Sequence, residues 1–108
     1  MAGKGNAEIV RYLERRVAES GLAEAKVVLF GSRARGGATE ESDVDVAIVS
    51  PSFRGKDAFK RARLTQEVEI RAMRRFRLPF DIVTLTPEEY DGGSMMGEFI
   101  RATSNAAL

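Results

Sequence analysis

The chain contains neither histidine nor cysteine. Without histidine, Ser-His-Asp hydrolysis, imidazole general-base catalysis and His-ligated metals are excluded, so any chemistry must use carboxylates, hydroxyls, guanidinium groups and a hard cation. Without cysteine there is no disulfide, no thiolate nucleophile and no sulfur-ligated zinc, which fits a reducing compartment. No apolar run approaches the roughly 20 residues that a membrane span needs. Residues 1–6 have no apolar h-region behind their one lysine, so they do not read as a signal peptide. The expectation is a soluble, cytoplasmic protein with no membrane association, with residues 1–5 a disordered leader and 103–108 a frayed tail.

What is present is ordinary for a globular chain: 108 residues, 44% hydrophobic and 31% charged. That length makes one domain with one core, too small for a catalytic domain plus a domain that covers its substrate. The net charge of +1 hides segregation, since Arg54 to Arg77 holds nine Lys/Arg against three Asp/Glu, whereas Asp81 to Glu98 holds five acids and no base. A basic helical segment usually means a solvated face, and its low aromatic content and interleaved acids argue against nucleic acid as a partner.

Ile9, Val10, Leu13 and Val17 recur at helical spacing between Asn6 and Ser20, with Asn6 as N-cap and Gly21 as the stop. Ala25 to Phe30 is a short β-rich run, and Asp43 to Ser50 a second strand closed by Pro51. Ser52 to Lys56 reads as a loop. Asp57 to Phe76 reads as the longest helix, with Phe59, Ala62, Val68, Ala72, Met73 and Phe76 as its apolar stripe, and Leu78-Pro79 stops it. Phe80 to Leu85 is a third strand. Thr86-Pro87-Glu88-Glu89 has the form of a capping box, Asp91 to Ser94 breaks the chain, and Met95 to Ala102 forms a last helix. The order α-β-β-α-β-α predicts a small α/β domain with one mixed sheet and helices packed on it.

The chemistry concentrates between Phe30 and Val46. The strand period of two puts Asp43 and Asp45 on one face, about 7 Å apart at Cβ, and Asp81 joins them if its strand lies alongside. Oxygen-only donors favour Mg²⁺ or Mn²⁺ over zinc, and two such ions would bridge the attacking and leaving oxygens of an in-line phosphoryl or nucleotidyl transfer. Taken alone, an Asp-x-Asp pair is equally a solvent-facing strand edge. Gly31 permits close backbone approach, Ser32 offers a hydroxyl and an amide, and Arg33 and Arg35 bring positive charge, together a phosphate cradle. No Gly-Lys-Ser/Thr follows, so the loop is not a Walker A motif.

Phe30-Gly31-Ser32, ten further residues, then Asp43-Val44-Asp45-Val46 resembles the signature of the DNA polymerase β-type nucleotidyltransferase superfamily. Gly31 to Gly36 joined to Ser42-Asp43-Val44-Asp45 looks most like the minimal nucleotidyltransferases (MNT), which would make residues 1–108 a single nucleotidyltransferase domain with the polymerase β-like catalytic core. The resemblance implies metal binding by Asp43, Asp45 and Asp81, contact of Gly31 and Ser32 with a nucleoside triphosphate, and Mg²⁺-dependent transfer of AMP from ATP to a hydroxyl. It also implies a covering partner, a HEPN-domain toxin whose tyrosine is AMPylated, with this chain as the antitoxin; a second copy of the chain would meet the same need for cover. A catalytically silent nucleotide-binding or toxin-occluding module, and the subunit of a small-molecule nucleotidyltransferase, are the alternatives.

Overall fold

A computed structural model describes residues 5–36 and 38–104. Of the leader expected at 1–5, residues 1–4 lie outside the described residues and Gly5 takes the N-cap position of the first helix; of the tail expected at 103–108, residues 105–108 lie outside them, and Thr103 closes a helix instead of fraying. The elements are α1 (Asn6–Glu19), β1 (Lys26–Phe30), β2 (Val44–Val49), α2 (Ala58–Phe76), β3 (Phe80–Leu85) and α3 (Met95–Thr103). The order anticipated from the sequence is therefore the one found, with two short helical turns added. Pro51–Phe53 is a 3-10 turn where a plain loop was expected, because the Ser50 side chain accepts from the Ser52 amide and Pro51 fits the first helical position. Glu89–Gly93 is a π-type turn.

The three strands form one mixed sheet in the order β1-β2-β3. β1 runs antiparallel to β2, and β2 runs parallel to β3. A parallel neighbour requires a crossover, which α2 supplies. Five of the six residues of β2 alternate cleanly between two cores. Val44, Val46 and Ile48 face the layer of α1 and α2, joined by Ile9, Leu13, Phe53, Val68 and Phe76. Ala47 and Val49 face α3, joined by Phe30, Leu85 and Ile100. Among the described residues no helix is long and apolar enough to cross a membrane.

Two local expectations fail for identifiable reasons. Asn6 is the first helical residue of α1, not its cap; Gly5 holds the cap position with no side-chain bond. The Asn6 amide is taken up instead by Arg33, from 27 residues away. In α2 the buried stripe is Thr65, Val68, Ala72 and Phe76, whereas Phe59, Ala62 and Met73 face outward. α2 packs one narrow stripe on α1 and β3, so apolar residues a turn away from that line stay wet. The capping box forms as anticipated, with the Thr86 amide donating to Glu89 Oε1 at 2.8 Å and the Glu89 amide donating to Thr86 Oγ1 at 3.1 Å.

The burial difference along α2 is directly measurable. Phe76→Ala is expected to cost about 3–5 kcal/mol in chemical denaturation, because it opens a cavity between α1, α2 and β3. Phe59→Ala, at a ring 70% exposed, is expected to stay within about 0.5 kcal/mol. Equal losses at the two positions would contradict this packing.

Candidate active site

The sheet brings the acids together through register. Asp45 on β2 is the direct neighbour of Asp81 on β3 and, on the other side, of Phe30 at the end of β1. Neighbours in register point to the same face. Phe30, Asp45 and Asp81 therefore form a row across the sheet, on the α3 side. Asp43 lies one residue before the ladder begins, where the Val44 amide donates to the Pro79 carbonyl at 3.0 Å and holds the mouths of the two strands together. Asp43 and Asp81 are exposed and Asp45 is half-buried.

Gly31 makes room for this arrangement. Its φ of +77° is left-handed, and a Cβ there would sit 2.5 Å from Asp45 Oδ2. The carboxylate rests against the bare backbone of the loop, a contact that any side chain would displace. Burial pushes the Asp45 carboxyl above its usual range, and the nearby charges of Asp81 and Asp43 push it further. All donors at this end of the sheet are oxygens, so the set fits a hard divalent cation that keeps other positions for water and substrate. Among the described residues no three acids already stand where they could hold one metal ion. Asp45 and Asp81 are the pair that register sets side by side. Asp43 and Asp81 face solvent.

Arg33 has a different setting from that expected of a solvent-facing phosphate ligand. It is only 4% exposed. Its Nε donates to Asn6 Oδ1 at 2.9 Å, and its Nη1 donates to the carbonyl of Ser42 at 2.6 Å, with a longer contact to that of Glu40 at 3.4 Å. The Asn6 amide returns a bond to the Arg33 carbonyl at 3.1 Å. The guanidinium thus ties both limbs of the loop to the start of α1. Ser32 and Arg35 remain exposed at the turn that follows Gly31, where the Arg35 amide donates to the Gly31 carbonyl at 3.2 Å.

Two residues not anticipated at the site support this region. Asn6 positions Arg33, a role without a local signal because the partners are 27 residues apart. Phe99 of α3 packs edge-on against Phe30, ring centroids 6.1 Å apart, and its half-exposed ring extends the row of Phe30, Asp45 and Asp81 with an apolar wall.

The electrostatics set the sign of a pH effect. A carboxyl whose folded pKa lies above its unfolded value makes the folded state bind more protons, so stability falls as pH rises through that interval and the penalty is complete above it. Asp45→Asn is expected to raise the thermal midpoint in metal-free buffer at neutral pH, with the gain vanishing as pH falls below the ordinary Asp range of about 4. A gain that does not change with pH would contradict the repulsion among these acids. Gly31→Ala is expected to destabilise by at least about 1 kcal/mol, from the left-handed backbone and the clash with Asp45, read by denaturant titration.

Residues 8–100 match the profile of the nucleotidyltransferase domain family. Among solved structures, a protein from Sulfolobus solfataricus assigned as a nucleotidyltransferase is 26% identical, with a TM-score of 0.61 over 79% of this chain and 73% of that one. A protein assigned as a minimal nucleotidyltransferase is 23% identical, with a TM-score of 0.59 over 96% of this chain and 94% of that one, a likeness of fold. No curated protein sequence matches this one. The profile spans most of the chain and includes the Gly31 loop, both strands that carry the acids and the helix between them, and the protein belongs to the nucleotidyltransferase domain family.

Proposed function

We propose that the protein transfers AMP from ATP to a hydroxyl, using a divalent cation, Mg²⁺ or Mn²⁺, held by Asp43, Asp45 and Asp81. The observation that carries this reading is the contact of Asp45 with the bare backbone of Gly31, in register with Asp81. A phosphate gripped by the loop would then lie beside the carboxylates. A cation held there by these carboxylates would supply charge neutralisation at the α-phosphate and the pyrophosphate leaving group.

The chain's own groups have separate tasks in this scheme. Gly31 and Ser32 present backbone and hydroxyl donors to the triphosphate, and the exposed Arg35 adds charge to its outer end. Arg33 acts through the loop, which it holds in shape against α1. Asp81 takes the acceptor's proton while the acceptor oxygen bonds to the α-phosphorus and the bond from that phosphorus to the bridging oxygen breaks, releasing pyrophosphate. Its solvent exposure suits that exchange.

The acceptor in this proposal is a tyrosine of a HEPN-domain toxin, with this chain as the antitoxin. Support comes from the resemblance of the Gly31 to Asp45 motif to the minimal nucleotidyltransferases, together with an apolar surface beside the site. Met95, Met96 and Phe99 on α3 are 87%, 46% and 53% exposed. Methionines suit an adaptable contact surface.

The test is incubation of ATP labelled at the α-phosphate with Mg²⁺, this protein and the product of the neighbouring gene. Label is expected on a tyrosine of the neighbour, lost on chelation and reduced at least about 100-fold by Asp45→Asn. ATP binding without transfer to any hydroxyl would overturn the enzymatic reading. Transfer to a small molecule but not to the toxin would overturn the acceptor alone.

A further inference from the structure

The basic stretch Arg54–Arg77 is a feature of the sequence that the carboxylate site does not use, and folding divides it. Arg54 and Arg61 pair with Glu88 and Glu89 of the acidic stretch. The C-terminal part of α2 sets Arg71, Arg74 and Arg75 beside Arg11, Arg15 and Arg16 of α1. These lie on the helix layer, across the sheet from Asp45 and Asp81.

Three adjoining hollows follow the seam between the two helices. Arg16, Glu67 and Arg71 line the first; Tyr12, Arg71, Arg74 and Arg75 line the second, of about 410 Å³; Arg11, Tyr12, Arg15 and Arg75 line the third. Shared residues make them one groove. Its floor is fixed, since the Tyr12 hydroxyl donates to the Arg71 carbonyl, Arg16 lies over the Tyr12 ring, and Phe76 meets that ring edge-on.

The charge on this groove is not balanced by its own acids. Glu8, Glu19 and Glu67 are already bonded to Arg75, Arg16 and Arg71 at 2.9, 3.0 and 2.7 Å. Arg11, Arg15 and Arg74 are exposed and have no ion pair among the described residues, in a chain whose net charge is only +1. Every cation lining the groove is arginine, whose planar fork matches phosphate oxygens.

We propose that this groove binds the phosphodiester backbone of a nucleic acid, without reading its sequence. Arg11 with Arg15, and Arg71 with Arg75, are each one helical turn apart, a rise of about 6 Å, so the two helices offer a repeating array to a repeating anion. Apart from Leu64 at one end, the groove exposes no large apolar side chain, and a protein partner would need such anchors. The acids interleaved along α2 lose their weight as a counterargument once Glu67 is seen bonded to Arg71 and α1 is seen to contribute half of the arginines.

Fluorescence anisotropy with a labelled single-stranded RNA and a labelled duplex DNA, each of about 20 nucleotides or base pairs, tests the proposal between about 50 and 200 mM salt. Three phosphate contacts predict an affinity that falls roughly 20- to 40-fold over that range. Arg15→Ala/Arg74→Ala removes two exposed side chains and is expected to make the log–log salt slope shallower by about 1.5–2, whereas Arg15→Lys/Arg74→Lys retains the slope. Absence of saturable binding at the lowest salt, or an unchanged slope in the alanine variant, would overturn the proposal. Equal competition by a poly-glutamate of matched charge would overturn it in favour of an acidic protein.

Discussion

The in-register parallel pairing of β2 with β3 is the constraint on which the rest of this fold depends. β2 is covered on both faces and paired on both edges, so its six residues are placed from four directions. Its parallel neighbour can be reached only by a crossover, and α2 is that crossover. Once α2 lies on the face made by Val44, Val46 and Ile48, α1 fills the remaining width of that face, and α3 is left the other. The same pairing sets Asp45 against Asp81.

Gathering acids in this way is costly, and the structure places that cost where it can be tolerated. The row of carboxylates stands at the open end of the α3-side face, while the closed end is filled by Ala47, Val49, Leu85 and Ile100. Only Asp45 is substantially covered, and that burial pushes its carboxyl upward. Elsewhere, opposite charges that are far apart in sequence meet: the basic start of the α2 segment joins the acids after β3 through Arg54–Glu88 and Arg61–Glu89. Arg61 also donates to the Lys56 and Thr84 carbonyls, so this contact fastens the crossover to the strand it leads into.

Much of this was legible in the sequence because it is local. Strand periodicity put Asp43 and Asp45 on one face and Val44, Val46 and Ile48 on the other, and the capping box at Thr86 and Glu89 was readable from four residues. Proline and glycine punctuation bounded the strands to within a residue or so. What was not legible depends on distant partners. Asn6 looks like a cap because nothing nearby competes for its amide, yet Arg33 does. Arg33 reads as one arm of a phosphate cradle, but the loop folds back over it. The apolar stripe of α2 could not be told from its solvent-facing apolar residues, since burial there depends on how α1 lies against it.

The Arg33 clamp also has a thermodynamic meaning. A glycine-rich loop that wraps a polyanion ordinarily loses backbone entropy at the moment of association. Here the limbs around Arg33 and Ser42 are joined to each other and to α1 before any ligand arrives. The ordering is accomplished during folding, so the triphosphate capture proposed for this loop should carry a small entropic penalty and a small heat-capacity change, the calorimetric signature of a receptor shaped in advance.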